Sequence, residues 1–293
     1  MLVGTVTALV LAVSLATGLA PALAHPLPYP GTVPQAAPGP AISVLGGELT
    51  NATTGARLWM QDLNVRRPMG SITKVMTALV VLQAGDLSRK IEVTKAALRY
   101  VDRDGASSAG LMPGDVLTAR QLLAAMLIPS GCDAAYLLAT AYGPGRPAFI
   151  AKMNATAAKL GMTSTHFTSF DGMPYPTEHS TYSTPADLVT LGLAAMKYQL
   201  FRAIVARRLY RLPVTASHHR YVWRQTNKLI GSYRGALGIK TGDTKAAGNC
   251  LLFEARQHGI TLIGVVLHAG PTSNPGSAIV AGRRLLKWAF ARK

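Results

Sequence analysis

Gly70-Ser71-Ile72-Thr73-Lys74-Val75-Met76-Thr77-Ala78-Leu79-Val80-Val81-Leu82 is the stretch on which the reading of this chain turns. It carries one lysine and no acid, and apolar side chains fall on nearly every face of the implied helix. A helix apolar all round belongs in a core. Gly85, followed by Asp86, supplies a C-terminal stop. Ser71 and Lys74, spaced i, i+3 at the helix head, share one face within side-chain reach. A serine hydroxyl needs a base to act as a nucleophile, and a desolvated lysine amine can be that base, because burial disfavours its charged form. The helix N-terminus adds unpaired N–H groups and a positive potential where an oxyanion can form. The rival reading of the same residues is a capping serine and a lysine reaching for solvent.

Two further stretches bear on that choice. Pro129-Ser130-Gly131-Cys132-Asp133-Ala134-Ala135 is a turn opening onto a helix, and Lys240-Thr241-Gly242 closes the strand-like run Gly235-Ala236-Leu237-Gly238-Ile239. With these three motifs in this order the chain resembles the serine D-alanyl-D-alanine carboxypeptidases, the low-molecular-mass penicillin-binding proteins. That family shares with the serine β-lactamases the ordered set Ser-x-x-Lys, Ser-x-Asn and Lys-Thr-Gly. The first and third motifs match at every fixed position; the second carries Cys132 where the family has asparagine. The resemblance runs from about Ile42 to the C-terminus and includes His166-Phe167, Asp171-Gly172, Tyr182-Ser183-Thr184, Asn227-Lys228-Leu229 and Ala247-Gly248.

The resemblance implies a D-Ala-D-Ala carboxypeptidase that removes the terminal D-alanine of peptidoglycan stem peptides through an acyl-enzyme, with β-lactam antibiotics as inhibitors. It implies Ser71 as nucleophile, Lys74 as base and Ser130 as proton relay. Lys240, Thr241 and Cys132 would meet the substrate, and the N–H groups of Ser71 and of Asp243, the residue after Gly242, would hold the oxyanion. No metal or other cofactor is implied. Some relatives hold the substrate carboxylate with an arginine near the start of the last strand. Thr261 stands at that point, so the charge must come from elsewhere. A β-lactamase of the same fold and a non-catalytic wall-binding homologue remain as alternatives. One β-lactamase class uses a loop glutamate for deacylation, but the surroundings of Glu178 lack that class's Glu-x-x-Leu-Asn context, so it reads as a solvated loop residue.

Residues 1–24 carry no charged side chain, and Ala22-Leu23-Ala24 fits a signal-peptide cleavage site. Export to the wall or extracellular space is therefore expected, with an uncleaved membrane anchor as the rival reading. Residues 25–40, HPLPYPGTVPQAAPGP, read as an extended linker, and 41–293 as one domain with a helical subdomain inserted at roughly 85–185. A hairpin over Ile42–Leu49 and Ala56–Met60 opens the fold. Helices follow the catalytic one at Thr94–Tyr100, Ala119–Ile128 capped by Thr118, Asp133–Tyr142 and Pro147–Leu160, with a polar loop at Val101–Ser108. Thr184 and Pro185 start another helix. Strands Gly235–Lys240, Gly248–Ala255 and Thr261–His268 and the amphipathic helix Ala278–Phe290 close the chain. The pattern is α/β: a mostly antiparallel sheet from both chain ends, flanked by helices.

The 293 residues carry 30 Lys and Arg against 13 acids, a net +17, and no acid occurs from Leu188 to Gly242. That stretch suits an anionic wall or membrane surface. Aromatics are only 6%, which argues against nucleic acid as a partner. Cys132 beside the site and Cys250 on an inner strand read as two free thiols.

Overall fold

A computed structural model of the chain describes Met1 and residues 39–292. The expected signal segment and nearly all of the linker lie outside the described residues. The sheet is built from both ends of the chain. β1 (Gly46–Asn51) and β2 (Arg57–Gln61) form the first hairpin; β7 (Ala236–Thr244), β8 (Gly248–Gln257) and β9 (Ile260–Leu267) form a C-terminal meander. Their order is β2-β1-β9-β8-β7, every pair antiparallel, so the first strand enters beside the last.

Alternation in β8 and β9 explains how both faces are covered. Leu252, Ile263, Val265 and Leu267 face a core shared with α1 (Lys74–Ala84) and α6 (Pro185–Ala195). Leu251, Phe253, Leu262 and Val266 face Ala281, Leu285 and Leu286 of α8 (Ser277–Phe290). The C-terminal helix thus spends its apolar side on the sheet rather than on a membrane. Among the described residues no single helix is long and apolar enough to cross one. On the other face α6 approaches closely, because a Cβ at Gly192 would stand 2.8 Å from Ile263 Cδ1.

The helices lie between the two parts of the sheet in sequence. α2 (Lys95–Asp104), α3 (Ala119–Leu127), α4 (Cys132–Tyr142) and α5 (Arg146–Lys159) pack around α1, whose residues Lys74 through Leu82 are all buried. Caps read from the sequence are made: Thr118 and Gln121 form a reciprocal capping box on α3, and Thr184 accepts the Asp187 N–H ahead of Pro185. The expected polar loop at 101–108 is a correction, since α2 runs on to Asp104 and ends at left-handed Gly105. Apolar Val101, buried under the helix, carries it past Tyr100. Two small sheets had not been foreseen: β3 (Lys90–Glu92) with β4 (Val116–Thr118), and β5 (Leu209–Leu212) with β6 (Tyr221–Arg224). α7 (Gln199–Val205) precedes the latter pair. β6 does alternate, Tyr221 and Trp223 inward and Val222 and Arg224 outward, but over only four residues.

Candidate active site

The head of α1 is a 3-10 turn over Gly70–Thr73, and no side chain caps it. Ser71 is engaged otherwise. Lys74 Nζ donates to Ser71 Oγ at 2.6 Å and to the Asp171 carbonyl at 3.1 Å. Lys74 is fully buried, which removes the reading of a lysine seeking solvent. The Asp171 carboxylate is itself held, accepting from Tyr100 Oη at 2.9 Å and Ser169 Oγ at 2.7 Å. Beyond it, Gly172 (φ +89°) lies so close to the helix head that a Cβ would sit 2.0 Å from the Gly70 carbonyl oxygen. Only glycine fits such an approach in that backbone region.

β7 is longer than expected. It continues past the Lys-Thr-Gly motif to Thr244, so Gly242 is mid-strand, opposite Cys250. This edge strand lies against the helix head. A Cβ on Gly242 would fall 2.2 Å from the Met69 carbonyl oxygen and 3.1 Å from Ser71 N; one on Gly70 would fall 2.6 Å from Asp243 N. The two backbone N–H groups, of Ser71 and Asp243, are therefore brought together by two glycines that let strand and turn touch.

Ser130 has a left-handed backbone (φ +72°), a conformation that costs a non-glycine residue about 1–2 kcal/mol. It is held there from outside: Ser107 Oγ donates to the Ser130 carbonyl at 2.6 Å, and Gly131 N donates to the Ala125 carbonyl. In that pose Ser130 Oγ accepts from Lys240 Nζ at 2.9 Å. Lys240 is fully buried; burial, and then the charge of nearby Lys74, push its pKa down to about 7. Cys132 begins α4 with its thiol turned inward, 3.5 Å from Ser107 Oγ and against Lys74, and it does not line the open cleft. Burial, only partly offset by Lys74, lifts that thiol to about 11, so it is a neutral thiol at pH 7. Cys250 is also buried, and both cysteines are free.

An open cleft of about 730 Å³ joins these parts, bordered by Ser71, Ser130, Thr241 and Asp243. Thr226 and Lys228 line it too, with the Thr226 and Thr241 hydroxyls 2.8 Å apart. Lys228 and Lys245 are its cationic lining residues. Thr261 offers no guide to the carboxylate position: it pairs with Arg256 at the far end of β9, whereas the Lys-Thr-Gly motif is level with Val265 and Val266. Sequence reasoning had missed Ser107, Thr226 and Lys245, which sit in segments without a motif of their own. Asn227-Lys228-Leu229 and Asp171-Gly172 had been noticed, without their roles in the geometry. Glu178 is not simply solvated. Its carboxylate accepts the Ala246 N–H at 2.8 Å, tying the 166–183 loop to the turn that follows Asp243.

The chain is similar to known proteins of one family. A family model described as D-alanyl-D-alanine carboxypeptidase matches residues 36–270. A D-alanyl-D-alanine carboxypeptidase of Streptomyces sp. (strain K15) is 40% identical over 264 residues, covering 86% of this chain and 89% of its own length. Another, from Mycobacterium tuberculosis, is 36% identical, covering 86% of this chain and 83% of its own. Among solved structures, the Streptomyces K15 DD-transpeptidase superposes with a TM-score of 0.81 at 39% identity, over 87% of this chain and 99% of that one.

Proposed function

This chain belongs to the D-alanyl-D-alanine carboxypeptidase family, and from that premise we propose that Ser71 is the residue acylated when it cleaves the terminal D-alanine from peptidoglycan stem peptides. The observation that carries the assignment is the 2.6 Å contact between Ser71 Oγ and buried Lys74 Nζ, at a helix head where two backbone N–H groups converge. When the amine is neutral that contact reverses, the hydroxyl donating to nitrogen. Ser71 Oγ attacks the carbonyl carbon of the penultimate D-alanine as its proton passes to Lys74. The N–H groups of Ser71 and Asp243 stabilise the oxyanion. On collapse the C–N bond breaks, and Ser130 gives its proton to the departing amine and is replenished through Lys240. Water then cleaves the ester.

The terminal carboxylate is assigned to the paired hydroxyls of Thr226 and Thr241, with Lys228 and Lys245 supplying the positive field. Lys240 is too deeply buried for direct pairing and acts through Ser130. Cys132, facing Lys74 from behind, tunes that amine rather than touching substrate. β-Lactams would acylate the same serine, because the strained amide presents its carbonyl as the peptide does. A peptidoglycan substrate also calls for export, in keeping with the uncharged first 24 residues. Mass spectrometry after penicillin and, separately, after a D-Ala-D-Ala peptide tests the assignment. The adduct is expected on Ser71; Ser71→Ala should remove it, and Lys74→Ala should slow it by about 10²–10⁴-fold. Label on Cys132, or normal acylation of Lys74→Ala, refutes the mechanism.

A further inference from the structure

Asp133 is fully buried, and the reaction described above gives it no part. It stands in the first turn of α4, where a carboxylate ordinarily serves the N–H groups of its own helix. Here only the Ala134 N–H, 2.9 Å from Oδ1, belongs to α4. The other donors lie 22 to 25 positions earlier: Ser108 Oγ at 2.7 Å, Ala109 N at 3.0 Å from both carboxylate oxygens, and Leu111 N at 3.4 Å. Gly131 leaves room for this closure, since a Cβ there would stand 2.6 Å from Asp133 Oδ1 and 2.7 Å from Ala109 Cβ.

The inward face of the β5–β6 ribbon grips the same segment a second time. Trp223 Nε1 donates to the Ala109 carbonyl at 2.8 Å, and Tyr221 Oη accepts the Met112 N–H at 2.9 Å. The rings that do this are stacked, Tyr210 on Trp223 at 5.5 Å and Trp223 on Tyr221 at 5.3 Å. Both grips converge on Ser107, whose Oγ donates to the Ser130 carbonyl and whose own carbonyl accepts from Cys132 N at 2.7 Å. A left-handed serine persists only where its surroundings over-determine it, and Ser107 is the contact through which they do so.

We propose that Asp133 and Trp223 are positioning residues for the proton relay: by clamping the 107–112 segment they hold Ser130 in the pose that presents its hydroxyl to the departing amine. This rests on the Ser71–Ser130 mechanism above and extends it to two residues that touch neither the substrate nor the reacting atoms. The step they serve is the collapse of the tetrahedral intermediate. The C–N bond breaks with its electron pair going to nitrogen, the Ser130 proton passes to that nitrogen, and Lys240 returns a proton to the serine oxygen.

The test compares an N-acetylated tripeptide ending in D-Ala-D-Ala with the thioester in which sulfur takes the place of the departing nitrogen. Both yield the same acyl-enzyme. A thiol, of pKa about 8.5 in free cysteine, leaves as the thiolate, whereas an amine must first receive a proton. In Asp133→Asn the new NH2 group faces the Ala109 N–H whichever oxygen it replaces, so the clamp opens. Trp223→Phe keeps a ring in the stack and deletes the bond to the Ala109 carbonyl. General-acid catalysis contributes about 10²–10⁴-fold, and a displaced donor forfeits part of it. Asp133→Asn should therefore lower kcat/KM for the peptide by about 10- to 100-fold and Trp223→Phe by about 3- to 10-fold, with the thioester within about twofold of the parent. Adding either substitution to Ser130→Ala should cost the peptide nothing further. The result is read on whichever variant melts cooperatively. Equal losses on the two substrates overturn the proposal and leave the carboxypeptidase reading standing. So does an unchanged peptide rate, or a further loss on the Ser130→Ala background. A Ser130→Ala variant that spares the peptide overturns the relay and this proposal with it, and failure of the parent to turn over either substrate overturns the carboxypeptidase reading itself.

Discussion

Gly242→Ala tests the claim that the oxyanion site exists because a strand and a helix head touch. The new methyl would start 2.2 Å from the Met69 carbonyl oxygen, with Ile72 N at 3.0 Å and Ser71 N at 3.1 Å. An ordinary contact needs about 3.5 Å, so β7 must withdraw by roughly 1 Å or more. The obstructing atoms are backbone, so no side chain can swing aside. The withdrawal acts on the Asp243 N–H, the next group along the strand, while Ser71 stays with its helix. Misplacement by about 1 Å, or loss of one oxyanion donor, costs on the order of 10²-fold in rate. Overpacking costs about 1–3 kcal/mol in stability, so the protein should still fold. The assay is the second-order rate constant for acylation by fluorescent penicillin, with a thermal melt alongside. A fall of about 10²-fold with a modest drop in melting temperature is expected. Acylation within about threefold of the parent, in a folded protein, would mean that the two N–H groups are not set by this contact.

Cys132→Asn should retain activity and raise peptide turnover severalfold. It exchanges a weak donor and acceptor beside Lys74 for an amide, and a neutral hydrogen bond contributes about 0.5–1.5 kcal/mol; steady-state kinetics on a D-Ala-D-Ala peptide checks it, and abolished turnover refutes it. Glu178→Ala should slow acylation severalfold by releasing the turn after Asp243, and Glu178→Gln, which can still accept the Ala246 N–H, should recover most of it. If both variants acylate normally but keep their acyl group longer in stopped-flow traces, Glu178 serves the deacylating water instead. Burial, opposed by Arg202, lifts the Glu254 carboxyl from 4.5 to about 7. The folded chain keeps a proton there that the unfolded chain has released between those values. This stabilising contribution is complete below about pH 4.5 and lost as the pH rises through 7. Glu254→Gln should therefore be more stable than the parent above pH 7, by up to about 3 kcal/mol in denaturant titrations, with the gap closing near pH 4. A pH-independent difference would rule that out.

The elements that follow from local pattern were legible. The all-round apolar run at 74–82 is a buried helix, and Thr118 and Thr184 cap where they were expected to. β8 and β9 were expected as strands of a sheet flanked by helices, which α8 and α6 supply. Missed elements were short or depended on remote partners. Strands of three and four residues give too little alternation to register, and α2 continues past Tyr100 because Val101 finds a buried place, which no local signal announces. The position of Thr261 near a strand start does not say which end of the sheet carries the site; the β8–β9 register does.

By itself the sequence determined the chemical inventory: a serine and a lysine one helical turn apart, a second serine in a turn, a Lys-Thr-Gly strand and a cysteine in an asparagine's place. The i, i+3 geometry of a helix is local, so the Ser71–Lys74 contact could be anticipated from spacing alone. The remaining relations in the site are long-range. Ser130 meets Lys240 across 110 positions of sequence, Lys74 meets the Asp171 carbonyl across 97, and Glu178 meets Ala246 across 68. Tertiary structure alone decided that Cys132 faces inward, that two glycines bring the N–H groups of Ser71 and Asp243 together, and that the Asp133 carboxylate turns from its own helix to the Ala109 and Leu111 N–H groups. Each depends on how closely separate elements pack. That distance is set by the side chains between them, and no single stretch of sequence contains both sides of the contact.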